Sequence, residues 1–157
     1  MNTDPIPSHF LLPSELFSSR DQYLVNTILG SCVAVCLHDI RLNVGGINHY
    51  MLPYWNGVGL ATPKYGNIAI EKLITQMLQM GCLKNNIIAK VFGGAEVINV
   101  GKNTFNIGQR NIEIAMQMLA DSNIKIIASD IAGTLGRKLQ YNTKTGTVMM
   151  KKIEKVM

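Results

Sequence analysis

The chain has 157 residues, 47% of them hydrophobic and 16% charged, which predicts one domain over 1–157 and a core that needs no disulfide or metal to hold it. Lys plus Arg number 15 and Asp plus Glu 10, so the net charge is +5. That excess attracts acidic partners in general, but no basic stripe interleaved with aromatics accompanies it, and a nucleic-acid partner is not expected. Lys151-Lys152 with Lys155 is the densest basic run, and it reads as a solvated strand face and tail. Three cysteines (Cys32, Cys36, Cys82) are far too few for a disulfide scaffold and read as reduced cytosolic thiols. The start MNTDPIPSHF lacks the basic opening and apolar run of a secretory leader. Val25 to Leu37, an apolar uncharged stretch nearby, is too short to span a bilayer as a helix. The expectation is a soluble cytoplasmic protein without membrane insertion.

Residues 1–23, with Pro5, Pro7 and Pro13 removing backbone donors, are predicted to form an irregular arm. VNTILGSCVAVCL, from Val25 to Leu37, is interrupted by Gly30-Ser31 and reads as a strand, a tight turn and a buried strand from Cys32. Val44 to Met51 is another strand, stopped by Pro53. The stretch from Pro53 to Asn67, with three glycines and two prolines, is a long surface loop. Ile70, Leu73, Ile74, Met77 and Leu78 recur at helical spacing before a stop at Gly81. Ile87 to Phe92 reads as a strand ending at Gly93-Gly94. Ile112, Ala115, Met116 and Leu119 mark a second amphipathic helix, and Ile124 to Ala128 a short strand. Lys138–Tyr141 and Thr147–Ile153 flank Asn142 to Gly146 as a hairpin. The pattern predicts a mixed α/β layered domain.

Residues 29 to 53 hold two cysteines and two histidines, and two chemistries compete for them. On a strand, Cys32 and Cys36 share a face but lie about 13 Å apart at roughly 3.3 Å per residue. One zinc ion, with sulfurs at ~2.3 Å, cannot take both. A metal alternative survives with Cys36, His38 and His49. The other chemistry is nucleophilic. Cys32 follows Leu-Gly-Ser, where a turn exposes sulfur, backbone N–H groups around Ser31 and Cys32 can face an oxyanion, and His49 can return beside it as base.

Thr27-x-Leu-Gly-Ser-Cys-Val-Ala-Val-Cys-Leu-x-Asp39 followed by Gly45-Gly-x-x-His49-x-Met-Leu-Pro53 resembles the signature of the CheD family of chemoreceptor glutamine deamidases. Further blocks follow in that family's order: Tyr65-Gly with Ala69-Ile, Lys90-Val-Phe-Gly-Gly-Ala95, Asn106-Ile-Gly-x-Arg-Asn111, Asp130-x-x-Gly-x-x-x-Arg137 and Thr145-Gly-x-Val. The resemblance covers roughly residues 10 to 153. It implies an α+β fold of packed sheets flanked by helices, similar to the deamidase domain of a cytotoxic necrotizing factor. It also implies a cysteine hydrolase that converts receptor glutamines to glutamates without metal or organic cofactor. Carried onto this chain, Cys32 is the nucleophile, held as thiolate by His49, the general base and acid, and Thr27 is the third member. Some members place that threonine one residue upstream, where this chain has Asn26. Ala132 stands where the family commonly has glycine, and Ser129 where an acid often precedes the Asp. Receptor cytoplasmic domains are the implied substrate, and a CheC-type phosphatase the implied further partner. A regulatory module that docks such a phosphatase, with little catalysis of its own, is the alternative. The exposed aromatics Tyr54 and Trp55 are candidates to touch a receptor helix.

Overall fold

The computed structural model describes residues 4–96 and 106–154; Lys155 of the basic tail lies outside them. Its elements run β1 (Ser8–Phe10), β2 (Leu16–Ser19), β3 (Leu24–Leu29), β4 (Val33–Asp39), β5 (Val44–Asn48), α1 (Gly66–Gln79), β6 (Ile87–Gly93), α2 (Ile107–Asp121), β7 (Lys125–Ile131), β8 (Gly136–Asn142) and β9 (Val148–Ile153). They make a four-stranded sheet in the order β1-β3-β8-β9 and a five-stranded one in the order β2-β5-β4-β6-β7. Both are mixed, because β1 runs parallel to β3 and β6 parallel to β7.

All seven residues of β4 are buried, as a strand covered on both faces requires. Its alternation separates two cores. Val33, Val35 and Leu37 pack with Ile70, Leu73 and Met77 of α1 and Ile112, Ala115 and Leu119 of α2. Ala34 and Cys36 face the other way, between the sheets, with Val25, Leu29, Ile47, Leu139 and Tyr141. The layers are therefore sheet, sheet, helices, in agreement with the expected mixed architecture.

The helical periodicities hold with one exception. Ile70, Leu73, Ile74 and Met77 are buried, whereas Leu78 is 40% exposed at the edge of the stripe. Gly81, with φ +96, ends the run in a conformation that favours glycine. The hairpin also forms as read, and Gly146 donates its N–H to Asn142 O at 2.8 Å.

The irregular arm is a correction. β1 lies between Pro7 and Pro13 and pairs with β3, and β2 pairs with β5. Each is an edge strand with one neighbour, so prolines beside it remove no ladder bond. Pro7 even contributes its carbonyl, which accepts from Leu24 N at 2.9 Å.

Ala132 adopts φ +66 in the turn between β7 and β8. A left-handed alanine is strained by roughly 1–2 kcal/mol, partly offset in any comparison with glycine by glycine's floppier unfolded chain. Ala132→Gly is expected to stabilise the protein by up to about 1 kcal/mol in urea unfolding. A loss of stability would contradict that account of the turn.

Candidate functional site

β3 and β4 are joined through Gly30, Ser31 and Cys32. Past the β4–β5 ladder, Val33 and Tyr50 exchange both backbone bonds, Val33 N to Tyr50 O at 3.2 Å and Tyr50 N to Val33 O at 3.0 Å. The register is the one that pairs Cys36 with Ile47, so His49 stands opposite Ala34 on the inter-sheet face. Cys32, two residues before Ala34, shares that face and packs against the inter-sheet core. Cys32 and His49 are thus diagonal cross-strand neighbours, an arrangement with about 7–8 Å between α-carbons.

His49 is 2% exposed and held from two sides. Its backbone N–H donates to Glu15 O at 3.1 Å and its carbonyl accepts from Ser14 N at 2.8 Å. Two consecutive residues thereby face one, the pattern of a bulge, with Ser14 at φ +73. Nδ1 of the imidazole lies 2.7 Å from Thr27 Oγ1, and the same hydroxyl donates to Leu11 O at 2.8 Å. A hydroxyl has one hydrogen and a carbonyl can only accept. The hydrogen between Thr27 and His49 therefore belongs to Nδ1, and Nε2 carries the lone pair. Nε2 is buried and, among the described residues, has no hydrogen-bond partner, the Cys32 thiol included.

Strand alternation puts the two candidates for a third member on opposite faces of β3. Thr27 points inward with Val25 and Leu29, while Asn26 is on the outer face, where its Oδ1 accepts from Gln140 Nε2 at 3.3 Å.

Burial acts on both central groups in the same sense, toward the uncharged form. It pushes the Cys32 thiol from 9.0 up to about 11, opposed by that residue's own backbone N–H, and holds the His49 imidazole down from 6.5 to about 4. Both shifts favour thiol and neutral imidazole at neutral pH rather than the resting thiolate expected from sequence.

Cys36, 2% exposed between the sheets, is a small core residue with its thiol pushed further up by burial. His38 points its Nε2 at Lys144 O, 2.8 Å away at the hairpin. Four strand positions, about 13 Å, separate the level of His38 from that of His49, so one ion cannot bridge Cys36, His38 and His49. Among the described residues no cluster of His, Cys, Asp or Glu has the makings of a metal site.

The carbonyls of the Cys32 turn are all engaged. Gly94 N donates to Cys32 O at 2.9 Å and Ala95 N to Gly30 O at 3.1 Å. Asn111 Nδ2 donates to Ser31 O at 3.0 Å. Gly93-Gly94 is thus a close-packed turn beneath the cysteine; a Cβ on Gly93 would strike the Cys32 carbonyl. Leu11 escapes sequence reasoning because it acts through its backbone, and Asn111, although it closes the Asn106-Ile-Gly-x-Arg-Asn111 block, carries no role that the block itself reveals. In the following loop Tyr54 is half exposed, with its hydroxyl 3.3 Å from Gln117 Oε1, and Trp55 Nε1 donates to Val58 O at 3.2 Å.

A family model described as CheD chemotactic sensory transduction matches residues 51–152. The chain belongs to the CheD family. It is 49% identical over 146 residues to a probable chemoreceptor glutamine deamidase CheD of Trichlorobacter lovleyi, an alignment covering 93% of this chain and 91% of that one. With a CheD protein of the same description from Sulfurimonas denitrificans it shares 47% over 147 residues, 93% and 94% of the two chains. An alignment over 93% of the chain takes in positions 27, 32 and 49 wherever it begins, whereas the CheD model starts after them. A crystal structure of Bacillus licheniformis hypothetical protein YfiH overlaps with a TM-score of 0.44 at 14% identity, over 69% of this chain and 49% of that one, a likeness too weak to argue from.

The charge states give a testable pH dependence. The thiolate is the form that reacts with iodoacetamide, so labelling of Cys32 is expected to climb about tenfold per pH unit from 7 and level near pH 11. Labelling that stays flat across neutral pH would mean a resting ion pair and overturn the assignment.

Proposed function

We propose that this chain deamidates glutamine side chains of chemoreceptors, with Cys32 as nucleophile, His49 as base and then acid, and Thr27 as the residue that orients the ring. The observation that carries the reading is the hydrogen bond between Thr27 and His49, which leaves the Nε2 lone pair on the inter-sheet face that Cys32 shares. The names of the relatives, at up to 49% identity over nearly the whole chain, support the substrate. Docking of a CheC-type phosphatase as the main role is not favoured, since a binding surface has no use for a buried imidazole with an oriented lone pair.

The mechanism follows from two neutral groups. Nε2 takes the thiol proton as sulfur attacks the glutamine carboxamide carbon, so charge develops only along the reaction path. The oxyanion forms beside the backbone N–H of Cys32, and such a donor contributes roughly 2.7–4 kcal/mol to the transition state. The imidazolium returns its proton to the amide nitrogen, the C–N bond breaks, and ammonia leaves a γ-glutamyl thioester. Water then gives a proton to Nε2 and its oxygen to the carbonyl, and the thiol departs with glutamate formed. Thr27 stabilises the imidazolium at each stage by accepting from Nδ1–H.

Receptor cytoplasmic domains as substrates place the enzyme in the cytoplasm, beside receptor arrays. No helix among the described residues is long and apolar enough to cross a membrane. Tyr54, Val58 and Leu60 of the exposed loop after Pro53 offer apolar contact to a receptor helix.

Peptide mass spectrometry of a receptor cytoplasmic fragment incubated with the protein is expected to find specific Gln converted to Glu. Cys32→Ala and His49→Ala should lower conversion by at least about 1,000-fold with the fold intact, and Thr27→Ala by about 10- to 100-fold. Asn26→Ala should leave it unchanged. Full activity in the Cys32 variant would end the proposal.

A further inference from the structure

The inner face of α2 carries a polar residue where its neighbours are small or apolar. Asn111 is fully buried between Gly108 and Ile112, early in the helix. Asparagine is a poor choice inside a helix because its amide competes with the backbone. Here that amide works outside the helix. Nδ2 lies 3.0 Å from Ser31 O and 3.0 Å from Met51 O, and its two hydrogens go one to each. Ser31 precedes Cys32, and Met51 lies two residues after His49. Both carbonyls sit just past the Val33–Tyr50 bridge, where backbone pairing between their chains stops. Two carbonyl oxygens converging on one point repel unless a donor stands between them, and Asn111 is that donor. The backbone carbonyl of Asn111 accepts from the Tyr50 hydroxyl at 2.6 Å, a third tie beside His49. Among the described residues Asn111 Oδ1 is buried without a partner, an orphan that an apolar residue would avoid.

On the functional reading above, we infer that Asn111 is a positioning residue for the reaction at Cys32: its amide fixes the spacing between the turn that carries the nucleophile and the chain that carries His49. A misplacement of the order of 1 Å between reacting groups lowers a rate by about 100-fold. No other side chain among those described hydrogen-bonds to both chains at this point.

The test compares full-length wild type with Asn111→Ala and Asn111→Ser, the second of which keeps one donor on a shorter arm. Two readouts are taken: kcat and KM on a receptor cytoplasmic fragment, and the pH inflection of Cys32 labelling by iodoacetamide. In Asn111→Ala kcat is expected to fall about 100-fold with KM changed less than about threefold. The labelling inflection should move from about 11 toward the ordinary 9 as the turn loosens. Asn111→Ser should lose less on both counts, and it carries the same test if Asn111→Ala does not fold. A folded variant with wild-type kcat and an unmoved inflection overturns the inference, because a residue that merely stabilises the fold would lower the unfolding temperature and leave both alone. If wild type itself converts no glutamine, the functional reading falls, and the inflection alone decides for or against Asn111.

Discussion

A single hydroxyl hydrogen governs the site. Thr27 gives it to the carbonyl of Leu11, and that obliges the hydroxyl oxygen to receive the Nδ1 hydrogen of His49. The consequence is chemical: the imidazole has its lone pair on Nε2, on the side away from the threonine. The bond also crosses the sandwich, since Thr27 belongs to β3 of the four-stranded sheet and His49 follows β5 of the five-stranded one. The inter-sheet core of Val25, Leu29, Ala34, Ile47 and Leu139 holds those two strands at the distance the bond needs. Packing and proton placement are here one constraint.

The same burial that fixes the ring keeps the site uncharged at rest. Thiol and imidazole are both shifted toward their neutral forms, so in the proposed mechanism ions appear only when substrate is attacked and the proton moves. A neutral pair in an apolar setting avoids a standing unsolvated charge, which would be unfavourable to fold around. It also keeps the thiolate fraction small, and with it reactivity toward adventitious electrophiles. Around this pair the support comes from backbone: Ser14 and Glu15 on His49, Gly94 and Ala95 on the cysteine turn. Asn111 adds a side chain that reaches both the cysteine turn and the chain that follows His49.

Much of this was legible from residue order. The apolar run broken at Gly30-Ser31 placed the turn before Cys32, the spacing of Ile70, Leu73, Ile74 and Met77 placed α1, and the signature blocks singled out Thr27, Cys32 and His49. Three things were not legible. β1 and β2 have little hydrophobic pattern, because an edge strand of three or four residues takes its stability from the strand it joins. The part played by Leu11 is a carbonyl, which every residue has. The charge states depend on burial in three dimensions, and a Cys/His pair in sequence is silent on whether it rests as ions or as neutral groups.

Which nitrogen of His49 holds the hydrogen is read directly by ¹⁵N NMR of the side chain. At pH 7 Nδ1 is expected to be protonated and pyrrole-type and Nε2 unprotonated and pyridine-type, with the preference lost in Thr27→Val. The opposite tautomer, or an imidazolium signal with both nitrogens protonated, would contradict this assignment.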